Sequence, residues 1–330
     1  MDKINIMEVH WDYLIVLDAC RYDYFEQVWE KYLNGVLRKR ISVGSSTCEW
    51  RDNSFKEHYE DTIYISANPY INSIMPVKGF LGSEHFYKVY DLWLHNWNED
   101  KGTVLPETVT DVATDIVKTH KDKRAIIHYL QPHSPYLTLE TESFGFPVPD
   151  PYNENVLKGT KQSKSESGGK VWLVKEMAAV LSKAKILGPN AEWKLREIMK
   201  MMPASPMDAA RRKYGDEALR KAYKANLELA LKEVARLSRY LSGKVVISSD
   251  HGELLGEKRC YGHTVGSACP YLIEVPWFIA DEQNARSEKT DATAQKSSRE
   301  AAGTNTLDDS HKEESKQLVE KRLKDLGYFD

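Results

Sequence analysis

Three short apolar runs, each followed at once by a knot of polar and ionisable residues, constrain this fold most. Tyr13-Leu-Ile-Val-Leu17, Ala125-Ile-Ile-His-Tyr-Leu130 and Lys244-Val-Val-Ile-Ser248 are short and continuous. They read as strands buried on both faces, the signature of a parallel sheet covered on each side. Thr62-Ile-Tyr-Ile65 and Trp277-Phe-Ile-Ala280 are weaker strand candidates. Helical patterns separate them. Val109, Val112, Ile116 and Val117 share one face of Glu107 to Lys118. Tyr223, Leu227, Ala230, Val234, Leu237 and Leu241 form a longer stripe, with Gly243 as its stop. Strands alternating with helices predict an α/β protein: a three-layer sandwich with a mainly parallel central sheet flanked by helices.

Two regions depart from this rhythm. From Pro149 to Asp216 the chain turns polar and rich in Gly, Ser and Lys, then continues in Lys-rich helical segments. This reads as a cap inserted at about 149–216 into a core domain spanning 1–280. Its bland alternative is a solvated excursion with no role. Residues 281–309 carry almost no large apolar side chain, which predicts a flexible polar segment. Ser310 and Glu313 then fit a capping box, and Val319, Leu323 and Leu326 share a face, so 310–330 is expected to be a helix docking on the core.

In open parallel sheets, function gathers at the carboxyl ends of strands. Here those ends read Asp18-Ala-Cys-Arg-Tyr-Asp23, Gln131-Pro-His-Ser-Pro135 and Ser249-Asp-His-Gly-Glu253. Gly44-Ser-Ser-Thr-Cys-Glu-Trp50 follows the first helix, and Gly262-His263 comes shortly after the Asp-His-Gly turn. Asp18, Asp250 and His251 are a ligand set for one divalent ion such as Mn, Mg, Ca or Zn. A hydroxyl sharing that ion becomes a nucleophile, and Ser45, Ser46 and Thr47 are the hydroxyls at hand. His133, His263 and Arg21 are candidates to bind ester oxygens or protonate a leaving group. Singly, each has a simpler reading. Asp18 is placed to cap a helix starting near Arg21, Gly252 to supply a positive φ in a plain turn, His133 to satisfy backbone groups, and His263 to sit at the surface.

In their order, these segments resemble the alkaline phosphatase and sulfatase superfamily, and within it the small archaeal and bacterial sulfatase-like proteins. The resemblance rests on Ile15 to Asp23, Gly44 to Trp50, Gln131 to Tyr136 and Val246 to Glu257. It continues through Tyr261-Gly-His263, Glu274 to Phe278 and the ending Lys321 to Tyr328. It implies an alkaline phosphatase-like fold, with Asp18, Thr47, Asp250 and His251 sharing a metal, Thr47 as nucleophile, and His133 and His263 at the substrate. Cys48-Glu-Trp-Arg51 lacks the proline of the formylglycine motif and places its arginine one position early, which argues against a formylglycine sulfatase. A threonine nucleophile instead resembles phosphoglycerol and phosphoethanolamine transferases. Gln131-Pro-His133 offers no evident carboxylate for a second ion. One ion is therefore expected, with His263 as a second-site ligand left open.

The expected activity is cleavage or transfer of a phosphate-type ester through a phospho-threonine intermediate. The alternatives are a sulfatase or phosphonate hydrolase using the same site, and a catalytically silent binding protein that keeps the fold. A net charge of -3 provides no whole-chain field for nucleic acid. The first residues are not a signal peptide and no apolar run spans a bilayer, so a cytoplasmic protein is expected. The four cysteines form no Cys-x-x-Cys pair and then read as free thiols. The expected substrate is a small-molecule, glycan or lipid head-group ester, with a peripheral membrane contact through Lys194 to Lys200 left open.

Overall fold

The computed structural model describes residues 3–140, 145–152, 168–183 and 190–281. The strands are β1 (Lys3–Ile4), β2 (Tyr13–Leu17), β3 (Gly35–Ser42), β4 (Tyr59–Ser66), β5 (Phe86–Asp91), β6 (Arg124–Tyr129), β7 (Val245–Ser248), β8 (Leu254–Leu255), β9 (Tyr261–Gly262) and β10 (Glu274–Ala280). The helices are α1 (Tyr22–Glu26), α2 (Thr47–Ser54), α3 (Leu92–His95), α4 (Pro106–Thr119), α5 (Gly168–Lys183), α6 (Ala191–Ile198), α7 (Pro206–Ser238) and α8 (Pro270–Ile273).

Eight strands form one sheet in the order β1-β3-β10-β7-β2-β6-β4-β5. Strand β10 runs antiparallel to both neighbours, and every other pairing is parallel. The architecture is therefore the expected α/β sandwich with a mainly parallel sheet. The three continuous apolar runs occupy its middle, where β2 is hydrogen-bonded to β6 on one side and β7 on the other. All five residues of β2 are buried because both sheet faces are covered. Ile15, Ile127 and Ile247 face the α4 and α7 side, where the stripe from Tyr223 to Leu241 is fully buried. Leu14, Ile126 and Val246 face the other side, against Trp11, Trp50 and Phe55.

The sequence reading named neither β3 nor β5. In β3, Arg38-Lys39-Arg40 interrupts the apolar residues along a partly exposed strand, which hides the pattern of a covered one. Strand β5 lies at the sheet edge. The described part of the expected cap comprises α5, α6 and the first arm of α7. It has its own small core of Val174, Ala178, Ala191 and Leu195. Gly215, with φ 79°, breaks α7 one residue before the expected boundary at 216, and the second arm continues into the main core. The expected flexible segment 281–309, Asp281 excepted, and the expected helix 310–330 lie outside the described residues.

Candidate active site

The sheet topology gathers the polar strand ends in one place. In the row β7-β2-β6-β4, β7 leads to Asp250 and His251, β2 to Asp18, β6 to His133 and β4 to Asn68. Thr47 arrives from the turn after β3, as the first residue of α2. Ser46 caps that helix by accepting from the Glu49 N–H. Glu49 reaches back to accept from the Ser45 N–H and hydroxyl, both at 2.8 Å, and from the Gly266 N–H at 3.0 Å. Burial raises the Glu49 pKa, but these donors reverse the effect and hold it below its ordinary value. The Ser45–Thr47 turn is thus tied to the loop that follows His263.

Thr47 Oγ1 donates to Asp250 Oδ2 at 2.7 Å and lies 3.3 Å from His251 Nε2. His251 Nε2 is 3.3 Å from Asp250 Oδ2 and 3.8 Å from Asp18 Oδ1. The four side chains expected to share a cation therefore converge, and all are buried. His251 Nδ1 sits 2.7 Å from the Gly252 carbonyl, which assigns the ring proton there and turns the Nε2 lone pair toward the carboxylates. Gly252 is not the positive-φ turn residue of the simpler reading. It is needed for close approach, since a Cβ there would lie 2.1 Å from the Tyr271 carbonyl oxygen.

Asp18 does not cap α1, whose N-terminus has no side-chain cap. Its Oδ2 accepts from Asn68 Nδ2 at 2.6 Å, while Oδ1 is buried without a hydrogen-bond partner. Burial and the facing Asp250 and Glu253 carboxylates push the Asp18 pKa well up. Burial also opposes ionisation of Asp250, but the surrounding groups hold its pKa down. Burial itself drives the His251 pKa down to about 4, so the Ala19 and His251 backbone N–H groups and the Thr47 hydroxyl are the dependable donors to Asp250. His128 stands behind them, its Nδ1 2.8 Å from the Tyr64 hydroxyl and its buried Nε2 unpartnered. Ligand atoms of Asp18, His128 and Asp250 lie within 4.8 Å of one another. Buried carboxylates with an orphaned oxygen, together with an imidazole lone pair and a hydroxyl, fit a divalent cation.

Glu253 is the residue the sequence reading missed. It is fully buried, and its Oε1 is 2.9 Å from His263 Nδ1. Its Oε2 has no hydrogen-bond partner and lies 3.8 Å from His133 Nε2. Its signal was the fourth letter of Asp-His-Gly-Glu. The carboxylate judged lacking beside His133 thus comes from a different strand end. Burial would lower the His263 pKa, but the Glu253 carboxylate reverses this and raises it. His133 has no such direct bond, and burial lowers its pKa. The His251 and His263 ring centres are 4.2 Å apart, those of His133 and His263 5.7 Å.

A cleft of about 470 Å³ opens over this cluster, lined in part by Asp18, Thr47, Asn68, His133, Glu253 and His263. Arg21 does not line it. Its guanidinium is buried, pairs with Asp23 and Glu257, and donates to the Glu253 carbonyl. Arg51 also turns away, donating to the Tyr70 and Val77 carbonyls. The Asp18 turn is held from below: Ala19 adopts φ 59°, and the Tyr223 hydroxyl donates to its carbonyl at 2.6 Å while accepting from the Arg21 N–H at 2.9 Å.

A family model described as Sulfatase matches residues 51–301. The chain belongs to the sulfatase family. The match begins after Thr47, so Asp18 and Thr47 join the site by geometry. The soluble domain of lipooligosaccharide phosphoethanolamine transferase A from Neisseria meningitidis is a structural neighbour of this sulfatase-family chain. It has 14% identity over 82% of this chain and 76% of its own, with a TM-score of 0.45. The periplasmic domain of a Campylobacter jejuni phosphoethanolamine transferase has 14% identity over 81% and 77%, with a TM-score of 0.42. Phosphonate monoester hydrolase of Agrobacterium radiobacter has 13% identity over 82% and 68%, with a TM-score of 0.44. No curated protein matches the chain. Among the described residues, no helix is long and apolar enough to cross a membrane.

Proposed function

We propose that this sulfatase-family chain is a metal-dependent enzyme that cleaves or transfers a phosphate-type ester through Thr47. One observation carries the reading: the Thr47 hydroxyl opens into the cleft while donating at 2.7 Å to a buried carboxylate beside an imidazole lone pair. Asp18, Thr47, Asp250 and His251 would hold one divalent ion. His133, Glu253 and His263, whose ligand atoms also lie within 4.8 Å of one another, form a second donor set, so a second ion is the alternative. When bound at the first set, the cation supplies positive charge that favours the ionised threonine and offsets charge on the ester's non-bridging oxygens.

Asp250 Oδ2 accepts the Thr47 proton. Thr47 Oγ1 forms a bond to phosphorus as the bond to the leaving oxygen breaks. His263, whose protonated form the Glu253 carboxylate favours, gives its proton to that oxygen, and His133 binds an ester oxygen. Water or an acceptor alcohol then loses a proton to His263 and bonds to phosphorus as the bond to Thr47 Oγ1 breaks, and Asp250 returns its proton to that oxygen. Residues 1–280 serve as the catalytic domain and 149–216 as a cap over the cleft. The substrate is a small-molecule, glycan or lipid head-group ester.

Sulfate or phosphonate esters are the second reading, favoured by the family match itself. Against a formylglycine route, Cys48 is buried one residue past the nucleophile position and Arg51 faces away from the cleft. Parallel assays on aryl phosphate monoester, aryl phosphate diester and aryl sulfate, with Mn or Zn added, separate the readings. Mass spectrometry of quenched protein should show a phosphoryl adduct on Thr47. Turnover with undiminished rate in Thr47→Ala would overturn the assignment.

A further inference from the structure

A second cavity, of about 450 Å³, lies back to back with the catalytic cleft and shares Asn190, Trp193 and Tyr261 with it. Its other lining includes Lys194 of α6, Arg211 of α7 and Arg259 of the loop after the Asp-His-Gly turn. We propose that this cavity is a subsite for a second anionic group of the substrate, a phosphate or carboxylate borne beyond the scissile ester. The inference rests on the phosphate-ester reading of the cleft and names what that ester must carry.

The charge arrangement supports this assignment. Among the described residues, no Lys or Arg lines the catalytic cleft. In the second cavity, Arg211 is committed to Glu197 and Asp208. Lys194 and Arg259 have no ion-pair or side-chain hydrogen-bond partner among the described residues, and both border the hollow. Asp216, the one acid in the lining, accepts from the Tyr261 hydroxyl at 2.8 Å and lies with Arg220 against Gly256. Among the described residues, two cations are thus left uncompensated in a concave site, where an anion gains charge-assisted hydrogen bonds.

The wall between the cavities is fixed. Trp193 and Tyr261 stack with centroids 5.7 Å apart and an interplanar angle of 23°. Asn190 exchanges two hydrogen bonds with the Tyr261 backbone, at 3.0 and 2.8 Å. A head group whose body crosses this aromatic edge sets its ester over Thr47 and its anionic end between Lys194 and Arg259.

The test compares the affinities of α,ω-alkanebisphosphonates of graded length with those of the matching monophosphonates. Titration calorimetry is run on the full chain loaded with Mn. In the wild type, the best bisphosphonate should bind about tenfold or more tighter than its monophosphonate. In Lys194→Ala/Arg259→Ala that ratio should fall toward one. A loss of fold or of the metal centre lowers both affinities and leaves the ratio, so thermal midpoints are recorded alongside. A wild-type ratio near one, or a ratio that survives the double substitution with monophosphonate affinity and thermal midpoint unchanged, overturns the subsite. Failure of the ester reading looks different: the monophosphonate would not bind the wild type at all, while the bisphosphonate would still respond to the double substitution.

Discussion

Replacing Asp18 with Asn should reverse its stability rank against the wild type when a divalent cation is added. Asp18 and Asp250 offer oxygens within 4.8 Å of each other in a buried site. Two unit charges at that separation repel by about 3.5 kcal/mol at an effective dielectric of about 20, and the repulsion falls as Asp18 takes up a proton. Asn keeps an oxygen to accept from Asn68 and places an amide donor where Oδ1 now has no partner. After chelation, Asp18→Asn should therefore be more stable than the wild type by about 1–3 kcal/mol, whereas most single substitutions destabilise. With cation at about a thousand times its dissociation constant, the wild type should gain about 4 kcal/mol and the variant little. Thermal denaturation followed by circular dichroism, with chelator and then with Mn or Zn, reads both arms. A variant less stable than the wild type without metal, yet shifted equally by metal, would refute the claim that these carboxylates are arranged for a cation.

Other perturbations test the remaining links. Thr47→Ala should lower kcat/KM on an aryl phosphate ester by about a thousandfold or more, with Thr47→Ser keeping measurable turnover. Glu253→Gln should reduce kcat about 10- to 100-fold by releasing His263, seen in steady-state kinetics at saturating metal. Tyr223→Phe removes the hydroxyl that holds both sides of the Asp18 turn and should cost about 1–3 kcal/mol in denaturant unfolding. Val234→Ala, in the fully buried stripe of α7, should cost about 1–3 kcal/mol in the same assay while leaving turnover at permissive temperature.

What could be read from the sequence follows the range of the physics involved. Strands β2, β6 and β7 were legible because central parallel strands are covered on both faces and must be apolar throughout. Helices α4 and α7 were legible from the spacing of their buried stripes. Asp18, Thr47, Asp250 and His251 could be picked out because they sit at strand or helix ends, where the chain changes character. Contacts that depend on three-dimensional placement were not legible. Asn68 meets Asp18 only because β4 and β2 flank β6. Glu253 meets His263 only because β8 and β9 fold back on each other. Arg21 reads from the sequence as an anion-binding residue close to the candidate metal ligand Asp18, yet Asp23 and Glu257 draw its guanidinium away from the cleft. The antiparallel sense of β10 is likewise invisible in Trp277 to Ala280, since a covered strand reads the same in either direction.

Helix α7 has one arm in the cap and the other in the main core, with a single bend at Gly215 between them. Evolution can therefore lengthen, shorten or recolour the stretch ahead of that bend while the strand ends bearing Asp18 and Asp250 stay put. On the proposed reading, ester specificity would change in that stretch while Thr47 and its neighbours stay as they are.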